Sequence, residues 1–140
     1  MRNVAYAHID DLASLIQIDC QVIGSGSRQE QIQEAILEKR CLVVRNGKTA
    51  AGFLIFNTHF FDNTFVSLII VSPEERRKGN ASLLLKHVEK IARTDKIFSS
   101  TNQSNRQMQR IFEVNGYSQS GMIENLDPGD PEIVYYKQRK

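Results

Sequence analysis

Side chains suited to chemistry gather in one short run of this chain. Val71-Ser72-Pro73-Glu74-Glu75-Arg76-Arg77-Lys78-Gly79-Asn80-Ala81 lies between a β-branched stretch and a helical pattern. A helix N-terminus presents unpaired amides and a partial positive charge. Gly79 has no Cβ, so the backbone there can come close to an anion, and Ala81 is too small to block it. Arg76, Arg77 and Lys78 put three positive charges at the same end. That combination suits a diphosphate. A basic run alone is more often a solvated surface cluster; the glycine and the strand-to-helix context favour the anion site. No Lys-Ser or Lys-Thr pair follows the glycine, which weakens the reading as a nucleotide- or phosphate-binding P-loop protein.

The remaining composition excludes other chemistries. Cys20 and Cys41 are too few for a disulfide framework or an all-cysteine zinc site. His8, His59 and His87 lie far apart, and none pairs with a cysteine or glutamate at ligand spacing, so no metal is expected. Both cysteines read as small buried apolar residues, and His87 as a surface residue. The chain has 140 residues, 41% hydrophobic and 24% charged, which is ordinary for one folded domain spanning 1–140. Eighteen basic against 16 acidic residues leave a net charge of +2, too balanced to imply a nucleic-acid partner. The longest apolar run, 50–56, is far short of the ~20 residues a membrane helix needs. Asp10 and Asp11 interrupt the N-terminus before an apolar segment develops, so no secretory leader is expected and the cytoplasm is the default compartment.

These residues need elements to position them. Residues 2–7 read as a short strand. From about Asp10, Leu12, Leu15 and Ile16 follow helical spacing, with Asp10 or Asp11 capping the first turn. Gly24-Ser25-Gly26-Ser27 breaks that helix, and Ile32, Ala35 and Ile36 mark a second. Residues 41–44, 49–61 and 64–72 read as three strands of an antiparallel meander, turning at Asn46-Gly47 and Asp62-Asn63. Ala81, Leu84, Leu85, Val88, Ile91 and Ala92 recur at helical spacing after Gly79. A strand over 96–101 precedes a helix over 105–115 that stops at Gly116, and strands over 117–122 and 132–138 close the chain. The order β-α-α-β-β-β-α-β-α-β-β predicts a mixed α/β sheet.

Arg76-x-x-Gly79-x-Ala81 after a strand resembles the acyl-CoA-binding motif of the GNAT superfamily of N-acyltransferases: Arg or Gln, two residues, Gly, any residue, then Gly or Ala. The element order resembles the family's along almost the whole chain. Ala51-Gly52-Phe53 resembles its small-Gly-aromatic pattern, and Asn105 with Ile111-Phe112-Glu113-Val114-Asn115-Gly116-Tyr117 resembles its Asn-to-Gly-aromatic segment. The resemblance implies a mostly antiparallel sheet splayed between the fourth and fifth strands. It implies that backbone groups of Ile69, Ile70 and Val71 pair with the pantetheine arm of acetyl-CoA like an added strand. It further implies that Arg76, Arg77, Lys78, Gly79, Asn80 and Ala81 hold the pyrophosphate and that Asn105 contacts the pantetheine or its surroundings. The implied activity is transfer of the acetyl group to a primary amine of a small molecule or of a peptide or protein.

The chain departs from the family at the catalytic positions. Phe112 stands where many relatives carry a tyrosine that protonates the departing thiolate. Tyr117 is a substitute by residue type, although it fills a packing position; Tyr135 and Tyr136 are others. Where relatives often place a glutamate on the third meander strand, residues 65–71 offer only Ser67, a poor base. His59, at the end of the strand before it, has an unperturbed pKa of ~6.5 that suits proton removal, against a plain reading as a half-exposed strand residue. Glu124 and Glu132, with Asp130, flank the last hairpin and would attract a cationic amine, against a plain reading as turn and surface residues. Phe60, Phe61 and Phe65 read as hairpin packing, with an exposed patch for a homodimer as the other reading. The tail 137–140 reads as a solvated end. A non-catalytic acyl-CoA sensor on the same fold is the alternative that Phe112 keeps open.

Overall fold

The computed structural model describes residues 1–139. Its strands are β1 (Arg2–Tyr6), β2 (Cys41–Asn46), β3 (Thr49–Phe60), β4 (Asn63–Val71), β5 (Lys96–Asn102), β6 (Ser118–Ile123) and β7 (Glu132–Gln138). Its helices are α1 (Leu12–Ile23), α2 (Gln29–Leu37), α3 (Asn80–Ile91) and α4 (Arg106–Val114). The strands form one mixed sheet in the order β1-β2-β3-β4-β5-β7-β6. The β4–β5 pair is parallel, whereas β1–β2, β2–β3, β5–β7 and β6–β7 are antiparallel. This is the mixed α/β architecture expected from the element order.

The chain divides into two compact units, 1–56 with 68–87 and 57–67 with 88–139, so β3, β4 and α3 each contribute to both. In the first unit, Leu15 and Ile18 of α1 and Ile32, Ala35 and Ile36 of α2 bury against Cys41, Val43, Phe53, Ile55 and Ile70. Removing such side chains from water is the main favourable term in folding. Alternation along the strands sends Leu42 and Leu54, which face each other in register, to the opposite side of the sheet. Gly52 is required there by space. A Cβ on it would sit 2.7 Å from the carbonyl oxygen of Ile70, so only glycine lets β3 approach this part of β4. The small-Gly-aromatic pattern is thus a packing device that shapes the strand expected to meet the cofactor.

In the second unit, β5 pairs with β7 along its whole length, from Lys96↔Gln138 to Asn102↔Glu132. Its parallel register with β4 is three positions long and ends at Val66↔Ser99. Ile69, Ile70 and Val71 lie beyond that register. Phe112 of α4 is 1% exposed and stacks on Tyr135 at 4.9 Å between ring centroids.

Three local expectations are corrected. Asp11 does not cap α1. Its carboxylate accepts from the His8 backbone N–H at 2.7 Å and from Arg45 Nη2 at 2.8 Å, so His8 and Asp11 instead close a short 3-10 turn ahead of the helix. The β3–β4 hairpin turns at Phe61 and Asp62, both at positive φ (52° and 64°), one residue before the expected Asp62-Asn63. That geometry normally recruits glycine or asparagine; here Phe61 is 84% exposed and meets the Phe60 ring edge-on at 5.1 Å. The tail is not a solvated end as a whole. Lys137 is held at 2.9 Å by Glu89 and at 2.8 Å by the Asn115 carbonyl; Lys140 lies outside the described residues.

Candidate functional site

The loop between β4 and α3 lies entirely in the first unit. Pro73–Glu75 form a single 3-10 turn anchored by the Glu75 N–H on the Ser72 carbonyl at 2.9 Å. Arg77 and Gly79 then adopt positive φ, 63° and 82°, which bends the chain into the helix. At Gly79 an added Cβ would meet nothing within 4 Å. The glycine is therefore required by its backbone conformation, and the space beside it is open to a ligand. The first helical bond runs from the Leu83 N–H to the Gly79 carbonyl at 3.0 Å. The amides of Asn80 and Ala81 precede that ladder and are the orphan donors of a helix start.

Side chains brace this backbone from below and leave the cations on top. Asn80 is 2% exposed and donates from Nδ2 to the Glu75 carbonyl at 2.7 Å, which ties the helix start to the 3-10 turn. Its Oδ1 has no hydrogen-bond partner among the described residues. Arg76, Arg77 and Lys78 are exposed. Arg76 reaches back from Nε to the Val71 carbonyl at 3.4 Å, a long and weak bond. Glu75 faces Lys78 at 3.7 Å and, from β1, Arg2 at 3.6 Å. Residues 76–81 thus combine free amides, an open backbone and three exposed cations, as a diphosphate requires. Ile70 is buried, and Ile69 and Val71 are half-buried, on the strand that feeds the loop.

The other candidates lie in the second unit. His59 is exposed on β3, where its backbone N–H meets the Asn57 side chain at 2.9 Å, and Ser67 is exposed on β4. Asn105 caps α4, accepting from the Met108 N–H on its Oδ1 at 3.1 Å. Glu124 is exposed, and Glu132 accepts from the Ser100 hydroxyl at 2.7 Å. Tyr117 is 3% exposed and packs on Phe112 at 5.6 Å. Its hydroxyl donates to Glu89 at 3.3 Å, and burial followed by that carboxylate drives its pKa far above the ordinary tyrosine range. A phenol so committed is a packing residue and a poor proton donor. The Cys41 thiol is pushed up to about 12, chiefly by burial and then by Asp11, which keeps it protonated and unreactive.

Sequence reasoning missed Arg2 and the inward role of Asn80. Arg2 opens a strand far from the loop in sequence, and no local pattern marks it. Asn80 could have been noticed: a polar residue just after a glycine at a helix start is placed to cap or brace.

Comparisons with known proteins follow this geometry. The Acetyltransferase (GNAT) family model matches residues 9–117. A GNAT-family acetyltransferase from Bacillus cereus ATCC 10987 has 52% sequence identity and a TM-score of 0.96, with 99% of this chain and 97% of that chain covered. The ribosomal-protein-S18-alanine N-acetyltransferase of Escherichia coli matches at 18% identity and TM-score 0.84, covering 99% of this chain and 94% of that one. The protein yncA of Salmonella typhimurium, solved with acetyl-CoA, matches at 13% identity and TM-score 0.80, with 99% and 94% covered. At such identities the last two share the fold. No curated protein matched the sequence. No helix among the described residues is long and apolar enough to cross a membrane. The match over 9–117, the 52% identical relative and the strand order converge, and the chain belongs to the GNAT acetyltransferase family.

Proposed function

We propose that this protein is an N-acetyltransferase that moves the acetyl group of acetyl-CoA to a primary amine of a small molecule or of a peptide or protein. The observation that carries this reading is the loop 76–81, where an open glycine at φ 82° stands beside free helix amides and three exposed cations. Amides and side chains from Arg76 to Ala81 hold the diphosphate. Backbone groups of Ile69, Ile70 and Val71 pair with the pantetheine arm along the free edge of β4. Bound acetyl-CoA supplies an activated acetyl group as a thioester. The chain's residues then need only to position the amine and take its proton. His59, whose imidazole is exposed on β3, is the proposed proton acceptor, with Ser67 as a second polar group. Glu124 and Glu132 draw in the cationic form of the acceptor. A thiol pKa of about 8.5 makes the thiolate a tolerable leaving group without a tyrosine acid. The domain spans the whole chain and works in the cytoplasm.

Phe112 favours one other reading. Fully enclosed at the family's tyrosine position, it has no proton to give, as a non-catalytic acyl-CoA sensor would allow. Calorimetry with acetyl-CoA, CoA and ATP, followed by thiol release against a library of metabolite and peptide amines, tests both readings. Acetyl-CoA binding with turnover of at least one amine is expected. Tight binding with no turnover would point to the sensor, and binding of ATP alone would overturn the acyl-CoA reading.

A further inference from the structure

Two of the ion pairs beneath the cofactor loop converge on one oxygen. Arg2 Nη2 lies 3.6 Å from Glu75 Oε1, and Lys78 Nζ lies 3.7 Å from the same atom. Neither approach is a hydrogen bond, and Oε1 is buried with no hydrogen-bond partner. Arg2 Nε and Asn80 Oδ1 are also buried without partners. Three of the four such side-chain atoms among the described residues therefore belong to residues at the loop and the strand end that faces it. Buried groups left in this state carry an unrecovered desolvation cost, and three gathered in one place call for a common explanation.

A carboxylate under a diphosphate site raises an electrostatic problem, because an anion there repels the ligand the loop is built for. The two cations differ in how they answer it. The Lys78 side chain is 44% exposed and sits on the loop itself, whereas that of Arg2 is 28% exposed and comes from β1. Lys78 is free to turn outward, and among the described residues Glu75 is the ion-pair partner of Arg2.

We propose that Arg2 and Glu75 form a charge latch that sets the affinity of the 76–81 loop for the diphosphate of acetyl-CoA. This rests on the acyl-CoA reading given above. In the free protein, Glu75 holds Lys78 down in a weak pair. When the diphosphate arrives, Lys78 exchanges Glu75 for phosphate oxygens, and Arg2 alone neutralises the carboxylate. Arg2 is thus a positioning residue that never touches the ligand.

The test is acetyl-CoA titration by calorimetry across four variants, each checked for folding by thermal melting. Arg2→Met keeps the side-chain stem and should weaken binding about fivefold to tenfold at low salt. Arg2→Lys should restore affinity to within about twofold, and Glu75→Gln should bind about threefold more tightly than wild type. In the Glu75→Gln background, Arg2→Met should cost less than about twofold, because the charge it offsets is gone. The single-variant penalty should also shrink near 1 M salt, though less than for a surface pair because Glu75 is partly buried. A packing role for Arg2 would keep its cost in the Glu75→Gln background and at high salt, and that outcome overturns the latch. Should Arg2→Met fail to fold, an unchanged affinity in Glu75→Gln overturns it equally. Failure of wild-type protein to bind acetyl-CoA would instead remove the acyl-CoA reading and the latch together.

Discussion

The β4–α3 loop and the network around Glu89 both handle charge, and they handle it in opposite ways. In the loop, cations stand exposed over free backbone amides, and the groups below them are only loosely paired. In the network, Lys137 is the hub. It donates to Glu89 at 2.9 Å and to the Asn115 carbonyl at 2.8 Å, and it lies 5.7 Å from the centre of the Tyr117 ring. The Tyr117 hydroxyl completes the shell of Glu89. One region leaves its cations exposed above side-chain atoms that lack directed bonds. The other satisfies its groups internally and has nothing to offer a ligand. On the proposed function, the charges that meet the ligand are the underpaired ones, not the densest.

The largest effect expected of that contrast follows from adding an anion where the loop is open. Gly79→Glu should weaken acetyl-CoA binding by more than about 100-fold, through charge repulsion and loss of close backbone approach. Its cost to folding should stay near 1–2 kcal/mol, the price of a side chain at φ 82° where nothing crowds the Cβ. Gly79→Asn, which tolerates positive φ and carries no charge, should bind far better than Gly79→Glu. Calorimetry and thermal melting read both quantities. Normal binding by Gly79→Glu would place the diphosphate elsewhere and end the comparison.

An intermediate effect is expected in the second region and on the other observable. Lys137→Met removes the ammonium that bonds both Glu89 Oε1 and the Asn115 carbonyl, and should lower stability by about 2 kcal/mol. The partial exposure of the two charged side chains, 29% and 19%, keeps the figure below that of a fully buried pair. Acetyl-CoA affinity measured well below the melting temperature should change less than about twofold. A parallel loss of affinity would show that the network serves the ligand after all.

The two regions also differ in how far the sequence foretold them. The loop is contiguous, and each of its parts has a local reason: glycine for φ, cations for charge, a helix start for amides. Its outline was legible from Arg76-x-x-Gly79-x-Ala81 taken together with the element order and the Asn105-to-Tyr117 segment. The Glu89–Lys137 pair joins residues 48 apart, and Arg45–Asp11 joins residues 34 apart. No periodicity links such partners, so Lys137 reads as tail and Asp11 as a helix cap until the strands are paired. The same limit hid Arg2 beneath the loop. The element order was legible because hydrophobic period and turn residues are local; the turn at Phe61-Asp62 was misplaced because it uses no glycine.

Asn105 sits between these two kinds of residue, and the smallest effect is expected there. Its Oδ1 is already occupied, accepting from the Met108 N–H at 3.1 Å as the cap of α4, while its exposed Nδ2 remains to donate to a ligand. The two duties separate by substitution. Serine caps a helix about as well as asparagine but has no amide donor, whereas alanine does neither. Asn105→Ala should lose about 1 kcal/mol of stability, and Asn105→Ser less than about 0.5 kcal/mol. If Nδ2 meets the pantetheine, both variants should lose acetyl-CoA affinity by about threefold to tenfold, the worth of one hydrogen bond. Equal affinity in wild type and Asn105→Ser, beside a stability loss in Asn105→Ala alone, would make the residue a helix cap and nothing more. Asn105 would then join Lys137 among the internally satisfied groups, and the ligand-facing set would contract to the β4–α3 loop and the free edge of β4.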